Sequence, residues 1–135
     1  MDGRVFLDAS FWIAYREPRE ALSPRALEIL RGLFDTRTRF VTTFLVLCEI
    51  QAYFSRHTTR RQTVLRDLWE NRVVDFEDIT YRDQENAIAL LRNHSDKSFS
   101  LCDATSFVVM ERLGLHRVAT FDRHFRQFGG FEVID

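Results

Sequence analysis

Lysine is nearly absent from this 135-residue chain: Lys97 is the only one among 19 basic residues, and the other 18 are arginines. Twenty acidic residues offset them, for a formal charge of −1. That balance excludes a polycation that holds nucleic acid by total charge, so any such binding must use a local patch. Cysteine is confined to Cys48 and Cys102, both inside apolar runs. Buried free thiols in a reducing compartment are therefore expected, not a disulfide scaffold. No Cys/His cluster has zinc-ligand spacing. His57, His94, His116 and His124 are scattered and expected at the surface, with His124 close to Asp122. Glycine is equally sparse, at five residues. Neither G-x-x-x-x-G-K-[ST] nor G-x-G-x-x-G occurs, which excludes the usual nucleotide-binding folds. No apolar run reaches spanning length and no secretory pattern opens the chain, so a cytoplasmic protein with no membrane partner is expected.

What the chain does have is core-forming material. Its hydrophobic share of 45%, including 13 phenylalanines, suffices for one packed domain over residues 1–135. Val5 to Leu7 predicts a buried first strand, and Ala9 to Tyr15 a short helix stopped by Pro18. Ser23-Pro24 opens the next helix, with Ser as N-cap, Pro at the first helical position and an apolar stripe of Leu27, Leu30, Leu33 and Phe34. Phe40 to Thr42 is a second strand. It runs into Thr43–Phe54, too long for a strand and read as a buried helix. After a polar break at His57 to Arg61, a helix over about 60–70 turns Val64, Leu68 and Trp69 inward. Val73 to Phe76 is a third strand, and Thr80 caps a helix carrying Ala87, Ile88, Leu90 and Leu91. Ser100-Leu101-Cys102-Asp103 is a capping box ahead of Phe107, Val108, Met110 and Leu113, and Gly114 ends that helix. Val118 to Phe121 and Phe131 to Ile134 close the chain as strands, the last one at an edge. Strands alternating with helices predict a three-layer α/β/α domain with a mainly parallel central sheet of four to five strands. In such sheets function collects at the carboxyl ends of the strands.

Four acids stand out by position. Asp8 and Asp122 end segments built alike, Arg4-Val5-Phe6-Leu7-Asp8 and Arg117-Val118-Ala119-Thr120-Phe121-Asp122. Glu49 interrupts an almost wholly apolar helix, where an unpaired carboxylate is costly unless it faces a partner or a polar cavity. Asp103 serves the capping box, and one of its oxygens can still point outward. Asp96, in a solvated loop, ranks outside this set. A parallel sheet can bring the four to one edge. Carboxylates packed together stay ionised only beside a cation, and an all-oxygen set selects Mg²⁺, with Mn²⁺ as substitute. Such a site acts most often on phosphates.

With those residues in hand, the chain resembles the PIN-domain ribonucleases, in particular the VapC-type toxins of bacterial toxin–antitoxin pairs. The resemblance rests on FLDAS, LCEI, SLCDATSFVVM and TFDRHF, in that order and at that spacing. It implies a PIN-like fold and metal-dependent endoribonuclease activity. It implies catalytic and metal-binding roles for Asp8, Glu49, Asp103 and Asp122, with Ser10 and Ser106 in support. It also implies a cognate antitoxin and a homodimer. The aromatic first helix, with Phe11, Trp12, Ile13 and Tyr15, could face that antitoxin or the core. Arg123, Arg126, Arg60 and Arg61 are the candidate phosphate contacts for RNA. Two phosphate-handling rivals lack their motifs. Ser10 stands where a D-x-D phosphatase needs its second acid, and a receiver domain wants an acid pair at the first strand and a lysine near the last, where Lys97 is the only lysine the chain has. The alternative from another class is a catalytically silent PIN-like module that binds RNA or protein. Loss of an acid would mark it, and all four are present.

Overall fold

The structure, a computed structural model, describes residues 3–135. Its centre is β1 (Arg4–Leu7), flanked by β2 (Arg39–Thr42) and β4 (Arg117–Ala119), with β3 (Val74–Phe76) and β5 (Glu132–Ile134) at the edges. The order is β3-β2-β1-β4-β5 and every pairing is parallel. Val5, Phe6 and Leu7 are fully buried, as a strand covered on both faces requires. The chain winds outward from β1 in one direction to β3, then crosses back to β4 and continues to β5. Right-handed crossovers in opposite directions put helices on opposite faces. α1 (Ala9–Arg16), α2 (Ser23–Asp35), α3 (Phe44–Phe54) and α4 (Thr58–Trp69) pack on one another. α5 (Tyr81–Asn93), α6 (Leu101–Leu113) and the short α7 (His124–Phe128) form the other layer.

Helix boundaries follow local chemistry. Thr43 Oγ1 accepts the Val46 amide and starts α3 directly after β2. Thr80 with Asp83, and Ser100 with Asp103, form reciprocal capping boxes at α5 and α6. Gly114 ends α6 in the left-handed region, φ 67°, where a side chain would be strained.

Several expectations are corrected. Ser23 is the first residue of α2, and Leu22 is its cap position. The stripe of α2 is Ala26, Ile29, Leu30 and Leu33, whereas Leu27 and Phe34 are exposed. Ile88 and Trp69 also face outward, and Cys48 is exposed. The His57–Arg61 break is shorter than expected, because α4 already starts at Thr58. β4 stops at Ala119, leaving Thr120 and Phe121 outside the ladder. In each helix the apolar residue that lost its place lies one position off the stripe buried by its neighbours, an ambiguity that short helices leave open.

Glu17, just past α1, ties that helix to α4. It is buried and accepts from Arg19 and from Arg60, whose Nη1 lies 2.7 Å away. Hydrogen bonding from Arg19 leads the effects that lower its pKa to about 2. A lowered carboxylate pKa stabilises the fold above the unfolded value near 4.5, and that contribution is lost as pH falls toward 2. Glu17→Gln is therefore expected to destabilise the protein at pH 7 by roughly 2 kcal/mol and to flatten the acid limb of stability between pH 4.5 and 2. Chemical unfolding of both proteins across that range checks it.

Candidate active site

The winding of the sheet reverses between β1 and β4, and a cleft of about 260 Å³ opens at their carboxyl ends. Asp8, Ala9, Ser10, Ile13, Glu49, Tyr53, Asp103 and Asp122 line it. This is the crevice that a doubly wound sheet offers to ligands. Asp8 follows β1 directly. Asp122 arrives on the turn after β4. Glu49 comes from α3, the helix leaving β2. Asp103 sits in the first turn of α6, which must begin at this edge in order to return to the start of β4.

Each carboxylate is tethered through one oxygen. Asp8 is buried, and its Oδ2 accepts from Ser10 Oγ and Thr120 Oγ1, both at 2.7 Å. Those hydroxyls in turn accept the Phe121 and Asp122 amides, each at 3.0 Å. Asp8 stands at the N-cap position of α1, yet its side chain makes no capping bond. Asp103 Oδ2 accepts the Ser100 amide at 3.0 Å and lies 2.8 Å from His124 Nδ1. Asp122 Oδ1 accepts the His124 amide at 2.9 Å and lies 3.2 Å from Nδ1 of the same ring. Glu49 Oε1 accepts the Cys102 thiol at 3.0 Å. Among the described residues, the second oxygen of each acid carries no bond.

Electrostatics mark the cost of the arrangement. Burial leads in raising the Asp8 pKa from 3.8 to about 6; Thr120 and Ser10 oppose the rise, and the charges of Asp122 and Glu49 add to it. Glu49 is exposed on α3 and lines the cleft, the polar cavity that a carboxylate in so apolar a helix requires. It faces the polar cleft instead of the apolar core, so no burial cost arises.

The four acids expected from the sequence thus line one cleft, together with Ser10. Ser106 is buried, and its hydroxyl finds no partner among the described residues, so no contact links it to the acids. The arginines divide. Arg123 is exposed beside Asp122. Arg60 is bound by Glu17, Arg61 donates to the Ser55 carbonyl, and Arg126 pairs with Asp135. Two contributors were overlooked. Thr120 faces Asp8 because Leu7 pairs with Ala119, placing the next residues side by side. His124 was expected at the surface but is half-buried, and it forms with Asp103 and Asp122 a set of ligand atoms within 4.8 Å of one another. The Asp122-Arg123-His124 spacing carried its signal, since an Asp side chain often accepts the amide two residues on and folds that residue back.

Oxygen donors, uncompensated negative charge and one imidazole suit a hard divalent cation, so the residues present fit Mg²⁺ or Mn²⁺. The class follows from fold and site together: the PIN domain family model matches residues 5–130, and the chain belongs to that family. Within it, the chain is homologous to nuclease toxins of the VapC type. It is 30% identical over 131 residues to the 23S rRNA-specific endonuclease VapC20 of Mycobacterium tuberculosis, covering 96% of this chain and 97% of the relative. The same protein from a second strain matches equally. The crystal structure of VapC20, described as a Sarcin-Ricin loop cleaving toxin, superposes with a TM-score of 0.83 at 28% identity, over 96% of this chain and 98% of that one. VapBC2 of Rickettsia felis shares the fold, with a TM-score of 0.63 at 13% identity over 97% of each chain.

A carboxylate whose folded pKa is raised stabilises least when ionised. The Asp8 contribution is most favourable below pH 3.8 and falls as pH rises to about 6. Asp8→Asn removes that loss and keeps an acceptor for Ser10 and Thr120. In metal-free protein it is expected to be more stable than wild type at pH 7, by on the order of 2 kcal/mol, with the difference vanishing near pH 4. Thermal unfolding in EDTA at the two pH values measures this.

Proposed function

We propose that this protein is a Mg²⁺-dependent endoribonuclease, with Mn²⁺ as substitute, acting in the cytoplasm as the toxin of a toxin–antitoxin pair. The observation that carries this reading is the set of open oxygens on Asp8, Glu49, Asp103 and Asp122 around one cleft. When bound there, the cation supplies a Lewis acid for a phosphoryl oxygen and lowers the pKa of a coordinated water. Asp8, Glu49, Asp103 and Asp122 hold it. Ser10 and Thr120 keep Asp8 aimed, and His124 spans Asp103 and Asp122. Arg123, exposed next to Asp122, is the phosphate contact that positions RNA without reading its sequence. The likeness to VapC20 favours ribosomal RNA, and a sarcin–ricin type loop within it, as substrate. Such a loop offers splayed bases and a distinctive backbone shape, the features by which proteins recognise RNA.

Two partners belong to the same reading. A cognate antitoxin holds the toxin silent. A second copy of the chain covers the apolar surface formed by Phe44, Trp69, Ile88 and Leu101, each large and 45–60% exposed. Ile88 and Leu101 also line an apolar hollow with Leu45 and Ile79. Exposed apolar surface of this kind marks an interface.

Incubation of purified protein with ribosomal RNA should yield one principal cut that EDTA suppresses and Mn²⁺ restores. Asp8→Asn, Glu49→Gln and Asp103→Asn should each reduce the rate by at least about a thousandfold. Full activity in any of them, mapped by primer extension, would remove the four-acid reading. For the dimer, sedimentation of Ile88→Asp is expected to give a monomer where wild type sediments as a dimer. An unchanged dimer would place the interface elsewhere.

A further inference from the structure

Cys102 is left over when the metal chemistry is accounted for. It sits in the first turn of α6, next to Asp103, and is buried in the main core. Its Sγ lies 3.0 Å from Glu49 Oε1, across from α6 to α3. The other three acids are tethered by amides, hydroxyls or an imidazole. Among the described residues, Glu49 has this thiol alone. Yet Glu49 is the acid that most needs a tether. It is the longest of the four side chains, it is exposed, and the charge on Asp8 repels it. Ordering such a side chain against solvent costs rotamer freedom.

We propose that Cys102 is a positioning residue: its thiol donates to Glu49 Oε1 and holds Oε2 toward the cleft in readiness for a cation. The capping box that aims Asp103 fixes Cys102 in the same turn, so one helix start sets two of the four acids. The thiol lies in the core with its sulfur against the Glu49 oxygen, the geometry in which an S–H donates to a carboxylate. Sulfur is a weak donor in general. Against an ionised acceptor the bond strengthens.

The inference rests on the divalent-cation reading, and the experiment separates the two. Mn²⁺ affinity is measured by titration calorimetry for wild type, Cys102→Ala, Cys102→Ser, Glu49→Gln and the Cys102→Ala/Glu49→Gln double variant. Cys102→Ala is expected to weaken Mn²⁺ binding roughly tenfold, as loss of a ligand's supporting partner does. Cys102→Ser, which keeps a donor, should restore affinity to within about threefold of wild type. In the Glu49→Gln background, Cys102→Ala should add nothing. Infrared spectra of metal-free protein add an independent readout: the S–H stretch of Cys102 should sit at low frequency and move in Glu49→Gln. Wild-type affinity in Cys102→Ala, or an S–H band indifferent to Glu49→Gln, overturns the role of Cys102 alone. No Mn²⁺ binding by wild type overturns the cation reading and this proposal with it.

Discussion

Four carboxylates aimed into one small cleft repel one another, and the rest of the site is built to withstand that repulsion. The device is the same at each acid. One oxygen is engaged by protein donors that fix the side chain, and the other is left open. Asp8 leans on two hydroxyls that are themselves held by backbone amides, so the ends of β1 and β4 are locked together through the carboxylate. Asp103 uses for this the same oxygen that closes its capping box. A capping role and the proposed ligand role, which look like competitors in the sequence, are compatible because the cap uses one oxygen and leaves the other open.

The sheet makes this economical. Because the winding reverses at β1 and β4, the two central strands deliver Asp8 and Asp122 to the same point with no long loop. The helices on either face contribute Glu49 and Asp103 from opposite layers. The core beneath is Phe-rich: Phe107 stacks on Phe128 at 4.4 Å and meets Phe125 edge-on at 5.0 Å. α6 and α7, which carry Asp103 and His124, are thereby packed on each other. Large rings with few torsions fix a helix pair at small entropic cost, and the Asp103–His124 geometry depends on that pair.

Much of this was legible in the chain. The twin segments ending in Asp8 and Asp122, the cap at Thr80, the capping box at Ser100 and the Gly114 stop are all local signals, and local signals survive without tertiary information. The failures share one cause. Whether Leu27 or Ala26 faces inward, and whether His124 points to solvent or to Asp103, both depend on which elements become neighbours. Thr120 was read only as a strand residue, and its hydroxyl meets Asp8 because Leu7 pairs with Ala119 and sets the next residues side by side. A period of two or 3.6 shows which residues share a face, but not what covers that face.

The raised Asp8 pKa shows what the site costs the fold. A carboxylate sealed at the end of the central strand, between two other charged acids, is an unfavourable arrangement that a purely structural protein would have lost to an amide. Asn would keep both hydroxyl bonds and relieve the repulsion. On the reading proposed above, an external positive charge completes the set, and the free energy lost in folding the empty site is recovered when the cation binds. Folding and cation binding are then linked, and the affinity of the site and the strain of the metal-free protein must change together. Rigid tethers sharpen that link. If the acids could swing apart, the metal-free protein would relax and the cation would have to draw them back. Holding all four in place keeps the repulsion in the folded state, where a cation or protonation of Asp8 relieves it.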